Sequence, residues 1–246
     1  MSVGDRLIAA LDLPSVEAAR KTVTALEGAV HFFKVGLTLQ LAPGVEDLVR
    51  GLIRDGKKVF LDYKYYDIAA TMKTAVSRAV DLGVSFLTIH GSSGCIKGAV
   101  AGRGASPLKL FTVTVLTSMD KADLAELGYT EHSVEDLVLF RARKALEAGC
   151  DGVIASGQEA KAVKALSNKL LVITPGIRPD GYPEDDQKRR TTPRDAILAG
   201  ADYLVIGRPI TDAPDPRQAA ESIVVEMSDA FAAVKKTTSS SSENAS

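Results

Sequence analysis

Eight runs rich in β-branched and aromatic residues recur along the chain, each followed by a stretch of helical periodicity, at 6–13, 31–37, 57–65, 84–91, 108–118, 151–157, 169–176 and 201–208. This alternation is the strongest constraint on what the chain can fold into. A strand followed by a helix brings the next strand back parallel to it. In such a sheet helices cover the outer face, so the strands read as near-continuous apolar runs instead of alternating with polar residues. Between the runs, positions such as Val45, Leu48, Val49, Leu52 and Ile53 fall on one helical face. Eight strand-helix units in 246 residues match the (β/α)8 TIM barrel, an α/β fold that takes about 250 residues as a single domain. The expectation is a barrel over residues 1–234. The polar, Ser-rich tail, 235–246, has too little apolar surface to offset its ordering entropy and is expected to be disordered.

Charge and cysteine content exclude several classes. Lys plus Arg is 30 and Asp plus Glu is 31, a net charge of −1, so there is no overall positive field to attract nucleic acid. The N-terminus lacks the basic start and apolar length of a signal peptide. No apolar run reaches the roughly 18 residues of a membrane span, so no membrane partner is expected and the location expected is cytoplasmic. Cys95 and Cys150 lie far apart with no metal-ligand spacing and read as buried free thiols.

In a barrel the chemistry sits at the C-terminal ends of the strands. Polar residues near those ends are Asp12, Lys34, Asp62 with Lys64, His90, Thr117, Ser156 and Arg208. The third strand is the most informative. Side chains alternate along it, so Val59, Leu61 and Tyr63 face the helices while Asp62 and Lys64 point into the barrel mouth. Ionised groups persist in such a place only when opposite charges or a substrate compensate them. Lys34 adds a second cation and Asp67 a second carboxylate, the latter also suited to an N-cap. His90 reads as a packed, hydrogen-bonded ring.

The loops after the seventh and eighth strands commonly bind phosphate in barrels. Here they read Thr174-Pro175-Gly176-Ile177-Arg178-Pro179 and Ile206-Gly207-Arg208-Pro209. Each combines a glycine, which permits close backbone approach, with an arginine able to grip phosphate. The seventh loop continues to about Arg190 and reads as a lid. Neither the triphosphate-binding nor the dinucleotide-binding glycine fingerprint occurs.

Taken together, Asp62-Tyr63-Lys64-Tyr65-Tyr66-Asp67-Ile68, Ala10-Leu11-Asp12, Phe33-Lys34-Val35-Gly36, Val115-Leu116-Thr117-Ser118-Met119, the Gly176 and Gly207 loops and Asp186-Gln187 resemble orotidine 5′-phosphate decarboxylase of the bacterial type. The resemblance spans residue 6 to about residue 230. It implies cofactor-free, metal-free decarboxylation of orotidine 5′-monophosphate to uridine 5′-monophosphate in pyrimidine biosynthesis. It further implies that Lys64 stabilises and protonates the C6 carbanion, Asp62 lies against the scissile carboxylate, Lys34 holds the network and Asp12 binds the ribose. Thr117 would contact the pyrimidine side, and Arg178, Gln187, Gly207 and Arg208 the phosphate. Asp67 would act in the site of the partner subunit of a homodimer, with Ile68 and Thr71 beside it in the shared site. Where bacterial relatives read Pro-Asn after Asp-Ile, this chain has Ala69-Ala70, and Gly91 stands where alanine is usual. Two alternatives stay open. One is a magnesium-dependent sugar-phosphate enzyme of the same superfamily, which needs an oxygen ligand where this chain has Lys34. The other is a phosphoribosyl-binding barrel without chemistry.

Overall fold

The computed structural model describes residues 2–243, with side chains through residue 236. Eight parallel strands close into a barrel in chain order. They are β1 (Leu7–Ala10), β2 (Phe32–Gly36), β3 (Lys58–Tyr65), β4 (Phe86–Ile89), β5 (Lys109–Val113), β6 (Gly152–Ile154), β7 (Leu171–Thr174) and β8 (Tyr203–Ile206). The ring shuts where Leu7 pairs with Leu204 and Ile8 with Val205. Every strand lies inside its predicted run and is shorter than it. The largest difference is β5, which ends at Val113, because the residues up to Ser118 leave the ladder and turn over the mouth.

The outer layer comprises α1 (Val16–Ala25), α2 (Val45–Arg54), α3 (Ala69–Leu82), α4 (Ser93–Arg103), α5 (Lys121–Glu126), α6 (Val134–Glu147), α7 (Gly157–Leu166), α8 (Pro193–Leu198), the short α9 (Arg208–Thr211) and α10 (Pro216–Glu243). The stripe predicted on α2 faces inward, with Leu48, Val49 and Leu52 buried. Starts are capped by local chemistry. Ser15 accepts from Ala18 N–H on α1, and Ser133 and Asp136 form a capping box on α6. Helix α10 buries Ala220, Ile223, Met227 and Ala230 and carries the backbone as helix to Glu243, where composition predicts disorder from residue 235. Extending a helix already anchored by packed turns costs far less than nucleating one. Residues 244–246 lie outside the described residues. No helix among the described residues is long and apolar enough to cross a membrane.

Alternation along the strands builds two cores. On β1 and β3, Leu7, Ala9, Val59 and Leu61 meet the helices. The alternate residues Ile8, Ala10, Phe32, Phe60 and Phe86 fill the barrel with Phe111, Ile173, Tyr203 and Val205 from the later strands. The rings of Phe32, Phe86 and Tyr203 meet edge to face, with Phe32–Phe86 centroids 4.8 Å and Phe86–Tyr203 centroids 5.1 Å apart. Each buried ring contributes about 1.5–3 kcal/mol of hydrophobic stabilisation. This aromatic plug forms a dry floor. The next inward residues on β2, β3 and β4 are Lys34, Asp62 and Thr88, so the alternation that makes the floor also places polar groups directly above it.

Candidate active site

Above the floor lies a cavity of about 670 Å³, lined among others by Asp12, Lys34, Asp62, Lys64, Thr117, Arg178, Gln187, Gly207 and Arg208. Nine predicted site residues are therefore brought to one place. At its base the charges alternate in sign. Lys34 Nζ donates to both oxygens of Asp12, at 2.8 and 3.0 Å, and lies 3.3 Å from Asp62 Oδ2. Asp62 Oδ1 accepts from Lys64 Nζ at 2.9 Å and from Thr88 Oγ1 at 2.9 Å. Gly36 leaves the room this requires, since a Cβ there would stand 2.7 Å from Asp12 Oδ1 and 2.9 Å from Lys34 Nζ.

The electrostatics follow from this order. Burial alone would raise the pKa of Asp62, but the Lys34 and Lys64 charges more than offset it and hold the carboxyl below its usual value. Burial alone would lower that of Lys34, and the carboxylates of Asp62 and Asp12 reverse the shift and raise it. Both groups are therefore charged at neutral pH, and each keeps the other so. Of the two lysines Lys64 is the more accessible, with a side chain 31% exposed against 8% for Lys34.

Lys64 is the one non-glycine residue with positive φ among the described residues, at 49°. The β3–β4 register shifts between Leu61 and Tyr65. The Lys64 N–H is satisfied by Thr88 Oγ1 at 2.9 Å, so this hydroxyl accepts from the bulge and donates to Asp62. Thr88 was not singled out in the sequence, where a threonine inside a β-branched run reads as ordinary strand. Its position two residues after Phe86, on the inward face, is the signal that identifies it.

The opposite wall comes from the loops after β5, β7 and β8. Thr117 Oγ1 donates to Gln187 Oε1 at 2.7 Å. Arg208, at the start of α9, pairs with Asp186 and lies 3.3 Å from Asp185 Oδ2. Arg178 lines the cavity but is committed elsewhere: Nε and Nη2 donate to Asp185 Oδ2 at 2.8 and 2.6 Å, and Nη1 donates to its neighbour Ile177 O at 2.8 Å. Asp185 is thus an unpredicted hinge between two arginines. Asp186 belongs to the quoted motif, yet its partnership with Arg208 had no signal in the sequence.

Asp67, Ile68 and Thr71 do not line this cavity; all three are exposed on the rim where α3 begins. The N-cap reading of Asp67 is corrected. Ile68 occupies the N-cap position and makes no side-chain cap bond, while Asp67 Oδ1 accepts from Ile68 N–H at 2.6 Å. The backbone turns one residue later than the carboxylate suggests. Ala69 is the first helical residue, a position that would equally accept the proline expected from the resemblance. Ser156 is buried and caps α7 by accepting from Gln158 N–H. His90 packs near Tyr66, with ring centroids 5.6 Å apart, and burial together with Arg141 lowers its pKa. Gly91 suits this neighbour, because its φ is +113° and a Cβ would fall 2.5 Å from the Tyr66 ring. Cys150 is buried and Cys95 only partly so; both are free thiols. Among the described residues no group of three or more His, Cys, Asp or Glu is placed to hold a metal ion.

Comparison with known proteins agrees with this geometry. Residues 5–223 match the model of the orotidine 5′-phosphate decarboxylase / HUMPS family. An orotidine 5′-phosphate decarboxylase from Nitrobacter winogradskyi is 55% identical over 92% of this chain and 94% of its own length. One from Methylococcus capsulatus is 46% identical over 94% of this chain and 95% of its own. Among solved structures, the orotidine 5′-phosphate decarboxylase of Lactobacillus acidophilus superposes with a TM-score of 0.78 at 35% identity, covering 91% of this chain and 99% of that one.

Proposed function

The chain belongs to the orotidine 5′-phosphate decarboxylase / HUMPS family, and from that premise we propose how its residues share the work. The reaction is decarboxylation of orotidine 5′-monophosphate to uridine 5′-monophosphate and carbon dioxide, a carboxy-lyase step of pyrimidine biosynthesis. The C6–carboxylate bond breaks, its electron pair stays on C6, and the Lys64 ammonium gives C6 a proton that solvent later restores to the amine. The observation that carries this assignment is the fixed order Asp12, Lys34, Asp62, Lys64 above an apolar floor. A cation held beside the developing carbanion stabilises it without reorganising solvent.

In this reading Asp62 abuts the scissile carboxylate, Lys34 keeps Asp62 and Asp12 ionised, and Asp12 binds the ribose hydroxyls. Thr117 and Gln187 bridge the pyrimidine and phosphate ends. Arg208 and the Gly207 backbone hold the phosphate, and Arg178 supports them from behind through Asp185. The Lys34 ammonium stands where a magnesium-dependent relative needs an oxygen donor and repels a metal there.

The protein works as a homodimer with shared sites. Leu37, Leu41, Tyr66 and Ile68 leave an apolar surface 57–93% exposed on the rim after the adjacent strands β2 and β3, beside Asp67. Across that surface Asp67, Ile68 and Thr71 complete the partner's site. The same proposal makes residues up to 234 one catalytic domain in the cytoplasm, with no nucleic-acid or membrane partner and no cofactor. The test is turnover of orotidine 5′-monophosphate, followed by pyrimidine absorbance in excess chelator. Activity that vanished with chelator and returned with magnesium would reject the metal-free reading, and absence of turnover in both would favour a binding protein.

A further inference from the structure

Three consecutive residues of the loop between β7 and α8 reach across to the loop after β5. Gln187 meets Thr117. Lys188 pairs at the surface with Asp120 and Asp123, at 2.7 and 3.0 Å. Arg189 turns inward instead. Its N–H donates to Thr117 O at 3.1 Å, and Nη2 donates to Val115 O and Leu116 O at 3.0 and 2.9 Å. Nη1 lies 2.7 Å from Glu159 Oε1 in the first turn of α7, with side chains only 9% and 7% exposed.

This pair is held by charge more than by alignment. Arg189 Nη1 and Nε and Glu159 Oε2 are buried without a hydrogen-bond partner among the described residues. An incompletely satisfied buried ion pair is a poor means of stabilising a barrel, because apolar side chains of the same volume do as well or better. What it does accomplish is to fasten the loops after β5, β6 and β7 at a single point. Thr117, whose carbonyl accepts from the Arg189 N–H, and Gln187, two residues before Arg189, are the pair that join the two ends of the cavity.

We propose that Arg189, anchored by Glu159, is a positioning residue that sets the Thr117 loop in register with the Gln187 loop, so that phosphate binding is transmitted to the pyrimidine end. This rests on the substrate reading given above. Lys188, with a side chain 48% exposed, contributes little to the register, as exposed ion pairs do.

A double-mutant cycle tests it. Arg189→Lys keeps a charge for Glu159 but cannot bond two carbonyls as well, and kcat/KM for orotidine 5′-monophosphate should fall about tenfold to a hundredfold. The loss caused by Gln187→Ala in the wild-type background should then shrink to under about twofold in the Arg189→Lys background, since Gln187 is no longer held. Glu159→Gln, nearly isosteric, should show the same non-additivity with a smaller drop and serves if Arg189→Lys fails to fold. Lys188→Ala should stay within about twofold of wild type. The parallel cycle on uridine 5′-monophosphate binding gives a readout apart from turnover. Losses that simply multiply in these cycles would overturn the positioning role while leaving the substrate reading intact. A wild-type protein that neither turns over the substrate nor binds the product would overturn both.

Discussion

Replacing Lys64 by glycine and by alanine separates the conformation of its backbone from the chemistry of its amine. At φ 49° an L side chain pays about 1–2 kcal/mol for the left-handed conformation. Glycine escapes this but brings about 0.5–1 kcal/mol of extra unfolded-state entropy. The difference predicts that Lys64→Gly is more stable than Lys64→Ala by about 0.5–1 kcal/mol. In an ordinary strand the order would be reversed by a similar amount. For a chain of this size the gap corresponds to a Tm higher by about 1–3 °C. Both variants lose the ammonium that sits 2.9 Å from Asp62, so both should lose several orders of magnitude in kcat while still binding uridine 5′-monophosphate. Calorimetry of the two variants side by side, with turnover on the same samples, is the assay. If the glycine variant melts below the alanine variant, the left-handed bulge is not what aims the amine. If either retains about a tenth of wild-type turnover, a barrier change of only ~1.4 kcal/mol, Lys64 is not the proton donor.

Arg208→Ala should reduce kcat/KM for the nucleotide far more than for the phosphate-free nucleoside, because only phosphate makes the charge-assisted contact; equal losses on both would assign Arg208 to the fold. Asp186→Asn frees Arg208 from its present carboxylate and should tighten product binding by up to about fivefold, the worth of an exposed pair, as titration calorimetry would read; weaker binding would contradict it. The lowered pKa of Asp62 means that its ion pairs stabilise the fold fully above pH 3.8, and that this contribution is lost as pH falls through the folded value. Acid unfolding should therefore be less steep in Asp62→Asn, and parallel curves would show that Asp62 is not so held. Refolding Lys64→Ala together with Asp67→Ala should restore about a quarter of wild-type activity through hybrid dimers with one intact site; a mixture no more active than its parents, with hybrids confirmed by mass, would place Asp67 in its own subunit's site.

What could be read in the sequence, and what could not, divides along a physical line. The strands were legible because a parallel sheet buried on both faces leaves an apolar run for each of them. Asp62 and Lys64 were legible because ionised groups on the inward face of such a run contradict their surroundings, and period two alone says which way they point. Boundaries were less so. The run 108–118 continues in β-branched residues after β5 has ended at Val113, so composition could not mark where Thr117 leaves the ladder. Asp67 looked like a cap because its type suits one, but the cap position depends on the backbone of Ile68, which no side chain encodes. Arg208 was expected to face phosphate, and its pairing with Asp186 joins two loops whose relative path has no periodicity to reveal it. Glu159 is the extreme case. An acidic residue in the first turn of α7 satisfies every local rule for a solvated helix start, and only the passage of Arg189 over it turns that ordinary residue into one half of a buried ion pair.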